Sequence, residues 1–114
     1  MHEGAIVRSL FNIVESYRSK AELKEVHKVK AVIGELHQVV DEFMSMYFDF
    51  MKAEIEGFEN AVLEIEKRYP VLRCDNCKET DILKEAVFTC SKCNSGRTEI
   101  IQGNELYVDS IEGC

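Results

Sequence analysis

The sequence lacks several features that would place it in common classes of protein. No run of eighteen apolar residues occurs in the 114-residue chain, so no segment is predicted to span a membrane. The first residues lack the basic-then-apolar pattern of a secretory signal, and we therefore expect a cytoplasmic protein. The formal net charge is −7 and no local basic patch stands out, which argues against nucleic-acid binding. Neither an internal repeat nor a low-complexity segment is visible in the sequence.

Two Cys-x-x-Cys pairs form the most informative motif. They are Cys74/Cys77 and Cys90/Cys93, separated by twelve residues. Four thiolates at such spacing bind one Zn²⁺ tetrahedrally, and a segment of about thirty residues needs the ion in order to fold. A disulfide pair and a redox Cys-x-x-Cys are the alternatives. The missing secretory signal argues against the first, and the duplicated motif against the second. A closed four-thiolate site has no position for water, so we expect structural zinc and no enzymatic activity.

The chain begins Met1-His2-Glu3, which is a candidate chelate for a second metal. The α-amine, the deprotonated backbone nitrogen of His2 and its ring Nδ1 can form adjoining five- and six-membered rings around an ion. Such a nitrogen-rich, planar arrangement suits Ni²⁺ or Cu²⁺ better than Mg²⁺ or Ca²⁺. Glu3 could add a backbone nitrogen or its carboxylate. The alternative is that His2 is an ordinary solvated residue.

Hydrophobic periodicity predicts helices and strands outside the cysteine region. The predicted helices run from Ile6 into residues 18–24 and from Asp41 to Gly57. The predicted strands cover residues 26–36, 61–68 and 105–112. The last strand needs a sheet to join, so we expect it to return to the first domain and the cysteine region to be an insertion. Within that region, residues 86–89 are expected to be hairpin-like and residues 98–102 to pair with a neighbouring strand.

Both predicted helices have an apolar face that we expect to be core. The face of the first comprises Ile6, Leu10, Ile13, Val14 and Tyr17. The face of the second comprises Val40, Phe43, Met44, Tyr47, Phe48, Met51 and Ile55. Three further residues carry metal-binding side chains. We interpret His27 as a surface residue and His37 as a candidate auxiliary ligand beside the N-terminus. Cys114 is interpreted as a free thiol, with a metal or disulfide role as the alternative.

On these residues the chain resembles the HypA/HybF family, the nickel metallochaperones of nickel–iron hydrogenase maturation, which also serve urease in some organisms. The resemblance runs nearly from end to end. It rests on the paired cysteine motifs and on four other stretches: Met1-His2-Glu3, Ile33-Gly34-Glu35-Leu36, Ala61-Val62-Leu63-Glu64-Ile65-Glu66 and Gly103-Asn104-Glu105-Leu106-Tyr107-Val108.

The resemblance implies an α+β fold, with two helices on one face of a three-stranded sheet and an inserted zinc ribbon. The implied domains are 1–69 plus 103–114 for nickel and 70–102 for zinc. Nickel would be bound by Met1, His2 and Glu3, and zinc by Cys74, Cys77, Cys90 and Cys93. A HypB-type GTPase would help to pass the nickel to the hydrogenase large-subunit precursor. The alternative function is a zinc-ribbon module that binds other proteins and has no nickel role.

The chain departs from the family pattern at the two knuckles, the tight turns that carry each cysteine pair. The family usually has a left-handed glycine after each pair, whereas Lys78 and Asn94 stand there in this chain. We expect that conformation to be costlier for Lys78 than for Asn94. Ser91 occupies a position where the family often has proline.

Overall fold

The computed structural model describes residues 2–84 and 87–114 of the chain. The helices within them are α1 (Glu3–Ala21) and α2 (Asp41–Lys52). The strands within them are β1 (Val26–Gly34), β2 (Val62–Arg68), β3 (Val71–Cys74), β4 (Thr80–Ile82), β5 (Thr98–Gln102) and β6 (Leu106–Gly113). They form two three-stranded sheets, in the orders β2-β1-β6 and β4-β3-β5. The predicted α+β fold is thereby confirmed, and β6 does return to the sheet of β1. Neither described helix is long and apolar enough to cross a membrane.

The chain divides into two compact units. The first runs from the N-terminal residues to Val32 and includes Gln38–Glu66 and Leu106–Cys114. The second consists of Ile33–His37 and Lys67–Glu105, and it contains both cysteine pairs. The predicted boundaries, residues 1–69 plus 103–114 and residues 70–102, stay a prediction.

An aromatic cluster joins the two helices in the core of the first unit. The ring of Phe11 on α1 stacks on Phe48 of α2 with the centroids 4.9 Å apart. Phe58 meets the Phe11 ring edge-on at 5.4 Å, and both Phe48 and Phe58 are almost completely buried. Because large aromatic side chains bury 150–250 Å² each, roughly speaking, this cluster contributes much of the apolar burial that holds α1 against α2.

The predicted apolar face of the first helix is wrong in part. The buried apolar residues of α1 are Val7, Leu10, Phe11 and Val14. The predicted Tyr17 is 54% exposed and Ile13 is 38% exposed. The buried stripe is therefore rotated toward Val7 and Phe11, because the Phe11 ring has two aromatic partners across the helix interface, and these partners cannot be inferred from the period of one helix.

The second helix is shorter than predicted and buries a narrower stripe. It ends at Lys52, before the predicted stop at Gly57. Met44 and Phe48, one turn apart, are its buried residues, whereas the predicted core residues Phe43 and Tyr47 are exposed. The predicted apolar face of α2 is thus wider than the surface that the described residues of the first unit cover.

The face of the first sheet that carries Lys28 and Lys30 is polar. Two lysines on the central strand β1 pair with acids on both neighbours. Lys28 Nζ lies 3.6 Å from Glu64 of β2 and 3.7 Å from Glu112 of β6. Lys30 forms the same kind of bridge one pleat further along. These lysines alternate with the buried Val29 and Ala31, as expected for a strand, but Val32 is buried as well, so this alternation ends at Ala31.

The strand β1 ends two residues earlier than predicted, at Gly34. A Cβ at this position would lie 1.9 Å from the carbonyl oxygen of Gly103, so a larger residue does not fit. A 3-10 turn, Glu35–His37, follows directly. The N–H of Leu36 in this turn donates to the same carbonyl oxygen of Gly103 at 3.0 Å. The close approach of the two glycine stretches therefore ends the strand.

The second sheet frames the cysteine pairs. The central strand β3 pairs antiparallel with β4 on one side and with β5 on the other. The predicted pairing of residues 98–102 is confirmed by β5. The predicted hairpin-like segment 86–89 is not: Ala86 lies outside the described residues, and the structure places no strand at residues 87–89. The strand β4, directly after the first cysteine pair, takes that edge of the sheet instead.

Candidate metal centre

The structure brings the four cysteines of the predicted zinc site together. The Sγ atoms of Cys74 and Cys93 lie 3.6 Å apart, and those of Cys77 and Cys90 also lie 3.6 Å apart. All four sulfur atoms lie within 4.8 Å of one another. A tetrahedral ion with Zn–S bonds of about 2.3 Å requires sulfur separations of about 3.8 Å. The cluster therefore fits one Zn²⁺, with all four protein ligands supplied.

The two knuckles have matching backbone geometry. In the first, the N–H of Lys78 donates to the Cys74 carbonyl oxygen at 2.9 Å. In the second, the N–H of Asn94 donates to the Cys90 carbonyl oxygen at the same distance. Backbone N–H groups also point at the first sulfur of each pair, from Cys77 at 3.5 Å and from Lys92 at 3.4 Å. Each knuckle is thus a tight turn that presents two sulfurs to one point.

Lys78 and Asn94 both have the left-handed conformation that the resemblance led us to expect. Their φ angles are 66° and 60°. A non-glycine residue there costs roughly 1–2 kcal/mol, less for asparagine than for lysine. The cysteine geometry is nevertheless complete, so the ribbon tolerates this local strain without loss of its ligand set.

Ser91 replaces a proline that is frequent in the family, and it has a partner of its own. Its hydroxyl donates to Oδ2 of Asp81 at 2.6 Å, which links the second knuckle to β4. This bond is the main cause that lowers the pKa of the Asp81 carboxyl. The Asn76 side chain bridges the knuckles in a second way, because its amide donates to the Cys93 sulfur at 3.5 Å. Sequence reasoning missed both contacts, since neither partner is defined by spacing.

The electrostatics of the cluster favour a bound cation. Backbone N–H groups favour the thiolate form. The pKa of Cys74 is lowered chiefly by a hydrogen bond from the Cys77 N–H, and the pKa of Cys90 is lowered chiefly by one from the Cys93 N–H. At Cys77 the Glu79 N–H acts in the same direction, but burial and the neighbouring Cys90 and Cys74 outweigh it and raise the pKa of Cys77 to about 11. A divalent ion resolves this conflict because it removes the remaining proton and neutralises the thiolates.

Two of the three predicted nickel residues, His2 and Glu3, lie at the beginning of α1. His2 is the N-cap residue, its side chain is exposed, and its carbonyl oxygen accepts the first helical hydrogen bond from Ile6 at 3.0 Å. Met1 lies outside the described residues. Glu3 is buried, with 6% of its surface exposed, and its Oε2 accepts a hydrogen bond of 3.0 Å from the Val40 N–H. Since Val40 is the N-cap of α2, Glu3 ties together the starts of both helices.

Replacing Glu3 by glutamine is expected to destabilise the protein in a pH-dependent way. The Val40 hydrogen bond is the main cause that lowers the pKa of Glu3 from 4.5 to about 2. Such a carboxylate stabilises the folded state above its unfolded pKa, and the contribution is lost as the pH falls from 4.5 to about 2. At neutral pH we expect the melting temperature of Glu3→Gln to fall by about 4–8 °C. Thermal melts followed by circular dichroism at several pH values measure this difference.

The matched control is Glu42→Gln, an exposed acid in the first turn of α2. We expect that change to shift the melting temperature little. If Glu3→Gln melts like the native chain at neutral pH, Glu3 is not the tie between the helices.

His37 lies in the second unit, in the turn after β1. Its Nε2 donates to the Asn104 carbonyl oxygen at 3.2 Å. The auxiliary nickel role of His37 stays a prediction.

The chain therefore combines an α+β unit, whose first helix has an exposed histidine as its N-cap, with a ribbon that carries a candidate four-cysteine metal centre. The family model for hydrogenase/urease nickel incorporation, the metallochaperone HypA, matches residues 1–113. The chain belongs to the HypA family. It is a family of metallochaperones that act in hydrogenase maturation, rather than of enzymes.

Individual relatives agree with this assignment over almost their whole length. The hydrogenase maturation factor HypA of Moorella thermoacetica is 36% identical over 99% of both chains. That of Aquifex aeolicus is 32% identical over 98% of this chain and 96% of its own. The solution structure of the Ni metallochaperone HypA from Helicobacter pylori matches with a TM-score of 0.72 and 27% identity, covering 99% of this chain and 97% of that one.

Proposed function

We propose that this chain is a nickel carrier: Met1, His2 and Glu3 bind one Ni²⁺, which is delivered during nickel–iron hydrogenase maturation. In this proposal the four cysteines hold a structural Zn²⁺ and take no part in transfer. The observation that carries the proposal is the full-length family match in a chain that places His2, exposed, at the start of α1.

The local structure around His2 supports a chelate at this position. The first N–H groups of a helix have no intrahelical partner. A metal that replaces the amide proton of His2 therefore breaks no hydrogen bond of α1. The Glu3–Val40 bond anchors the next residue, so the helix start stays fixed while the preceding nitrogen atoms hold the ion.

Transfer follows from the small number of ligands. A site made by the α-amine, the His2 imidazole and the backbone nitrogens of His2 and Glu3 involves only three consecutive residues, and a single backbone movement dismantles it. The implied recipients are a HypB-type GTPase and the hydrogenase large-subunit precursor, and the implied location is the cytoplasm. A closed site with four protein ligands, such as the cysteine cluster, offers no such route for exchange.

A nickel titration of the zinc-loaded chain tests the proposal. We expect the chain to bind one equivalent of Ni²⁺ that is lost when two residues are added before Met1, while the zinc content stays unchanged, measured by calorimetry and by elemental analysis of the gel-filtered protein. Binding should release protons, because the amine and the imidazole must lose theirs. The alternative, a zinc-ribbon interaction module, predicts a chain that ignores nickel. A chain that retains its zinc and binds no nickel would refute the carrier role.

A further inference from the structure

Glu25, His27 and Cys114 bring three metal-binding side chains together outside the motifs described above. His27 Nε2 lies 3.1 Å from Glu25 Oε2. The Cys114 sulfur lies 3.9 Å from the same carboxylate oxygen and 4.0 Å from His27 Nε2. All three residues are exposed. The three donor atoms therefore form a small triangle around a common point that solvent can reach.

Backbone contacts hold this triangle in place. The Cys114 N–H donates to the Glu25 carbonyl oxygen at 3.0 Å, and the Glu25 N–H donates back to the Cys114 carbonyl oxygen at 3.1 Å. This reciprocal exchange is the bonded pair of an antiparallel ladder. The preceding Gly113 makes the approach possible, since a Cβ there would lie 2.0 Å from the Glu25 oxygen. Cys114 is thus fixed beside Glu25, and His27 follows on β1.

The spacing of the donor atoms suits a metal ion. Bonds of about 2.0–2.3 Å at tetrahedral angles give donor separations of roughly 3.3–3.6 Å. The observed separations lie between 3.1 and 4.0 Å. Small side-chain rotations that move the donor atoms by a few tenths of an ångström therefore bring them to the separations of a tetrahedral site. Arrangements of this kind differ from an acidic surface cluster, because one thiol and one imidazole accompany a single carboxylate.

We propose that Glu25, His27 and Cys114 bind one exchangeable divalent ion of the Zn²⁺, Co²⁺ and Ni²⁺ group. Thiolate and imidazole ligands select these ions over Mg²⁺ and Ca²⁺, which prefer oxygen. Three protein ligands leave a fourth position open, and the exposure of the site allows the ion to leave. The site shares no residue with the proposed nickel chelate or with the cysteine cluster.

Cobalt spectroscopy on the full chain tests this site. The protein carries zinc in the cysteine cluster and two extra residues before Met1, which disable the proposed chelate. Anaerobic titration of the reduced protein with Co²⁺ is expected to give one equivalent of thiolate-to-cobalt charge transfer, together with d–d bands of tetrahedral cobalt. Zinc content is measured at each step, and excess Mg²⁺ should not compete. Because the nickel chelate is disabled throughout, failure here leaves the proposed function untouched.

The variants assign the signal to individual ligands. Cys114→Ser is expected to abolish the charge-transfer band, and His27→Gln and Glu25→Gln to weaken cobalt binding about 10-fold or more. Glu42→Gln, the same chemical change at an exposed acid outside the triangle, is the matched control and should leave the titration unchanged. A reduced parent chain without the band would overturn the proposal, as would a band that persists in Cys114→Ser at full zinc content.

Discussion

Replacing Cys90 by serine is expected to release the zinc and unfold the ribbon. The substitution leaves three sulfurs where four are required, and a serine hydroxyl does not replace a thiolate toward Zn²⁺ at neutral pH. A structural zinc ion contributes about 10–16 kcal/mol to folding in isolated ribbon-like peptides. The small sheet β4-β3-β5 buries too little apolar surface to replace that amount. We therefore expect the zinc content to fall to near zero and the amide signals of residues 67–105 to collapse toward random-coil positions.

Cys114→Ser is the matched control for this experiment, because it makes the same chemical change in a cysteine outside the cluster. We expect that variant to keep the zinc of the four-cysteine cluster and its ribbon signals. Full zinc content with an intact ribbon in Cys90→Ser would show that the four sulfurs do not act as one site.

Replacing His2 by alanine is expected to weaken nickel binding by at least ~100-fold while zinc stays in place. Loss of a residue that only supports a metal ligand already costs about 10–100-fold in affinity. The His2 ring supplies a direct donor in the proposed chelate, and without it the amine and one backbone nitrogen remain. Calorimetric nickel titration of the zinc-loaded variant measures the loss.

Two controls separate this effect from general damage. Glu42→Gln changes an exposed acid in the first turn of α2, outside every proposed metal site, and we expect it to bind nickel as the native chain does. Two residues added before Met1 leave the His2 side chain intact but convert the α-amine of Met1 into a peptide nitrogen. We expect the same loss of nickel affinity as in His2→Ala. Native affinity in either His2→Ala or the extended chain would remove the N-terminal segment from the nickel site.

The parts of the fold that the sequence predicted are those specified by local spacing. The distance between Cys74 and Cys77, repeated at Cys90 and Cys93, defined the cysteine cluster because tight turns of fixed length determine where sulfur atoms point. The alternation along residues 26–36 likewise predicted the strand β1, because successive side chains of a strand point to opposite faces. The return of β6 followed from the need of an isolated strand for a sheet.

The parts that could not be predicted depend on partners distant in sequence. The Glu3 carboxylate meets Val40 across 37 positions, and Cys114 meets His27 across 87. No period within one segment encodes such pairs. The exposed Tyr47 on α2 makes the same point, since a helical pattern shows which residues share a face and leaves open how much of that face is covered. His27, interpreted as an ordinary surface residue, therefore acquired a possible role only through its neighbours.

The two matching turns at the cysteines determine how the ribbon assembles on its ion. Each turn acts as a bidentate ligand, so the ion binds in two steps instead of four independent ones. Once one cysteine pair has bound the ion, the twelve-residue connection keeps the other pair at a high local concentration. The entropic cost of closing a loop of that length is small. In the folded ribbon the Ser91–Asp81 bond then holds the second turn beside β4. Removing a single sulfur makes one turn monodentate, and the chelate effect of that turn is lost.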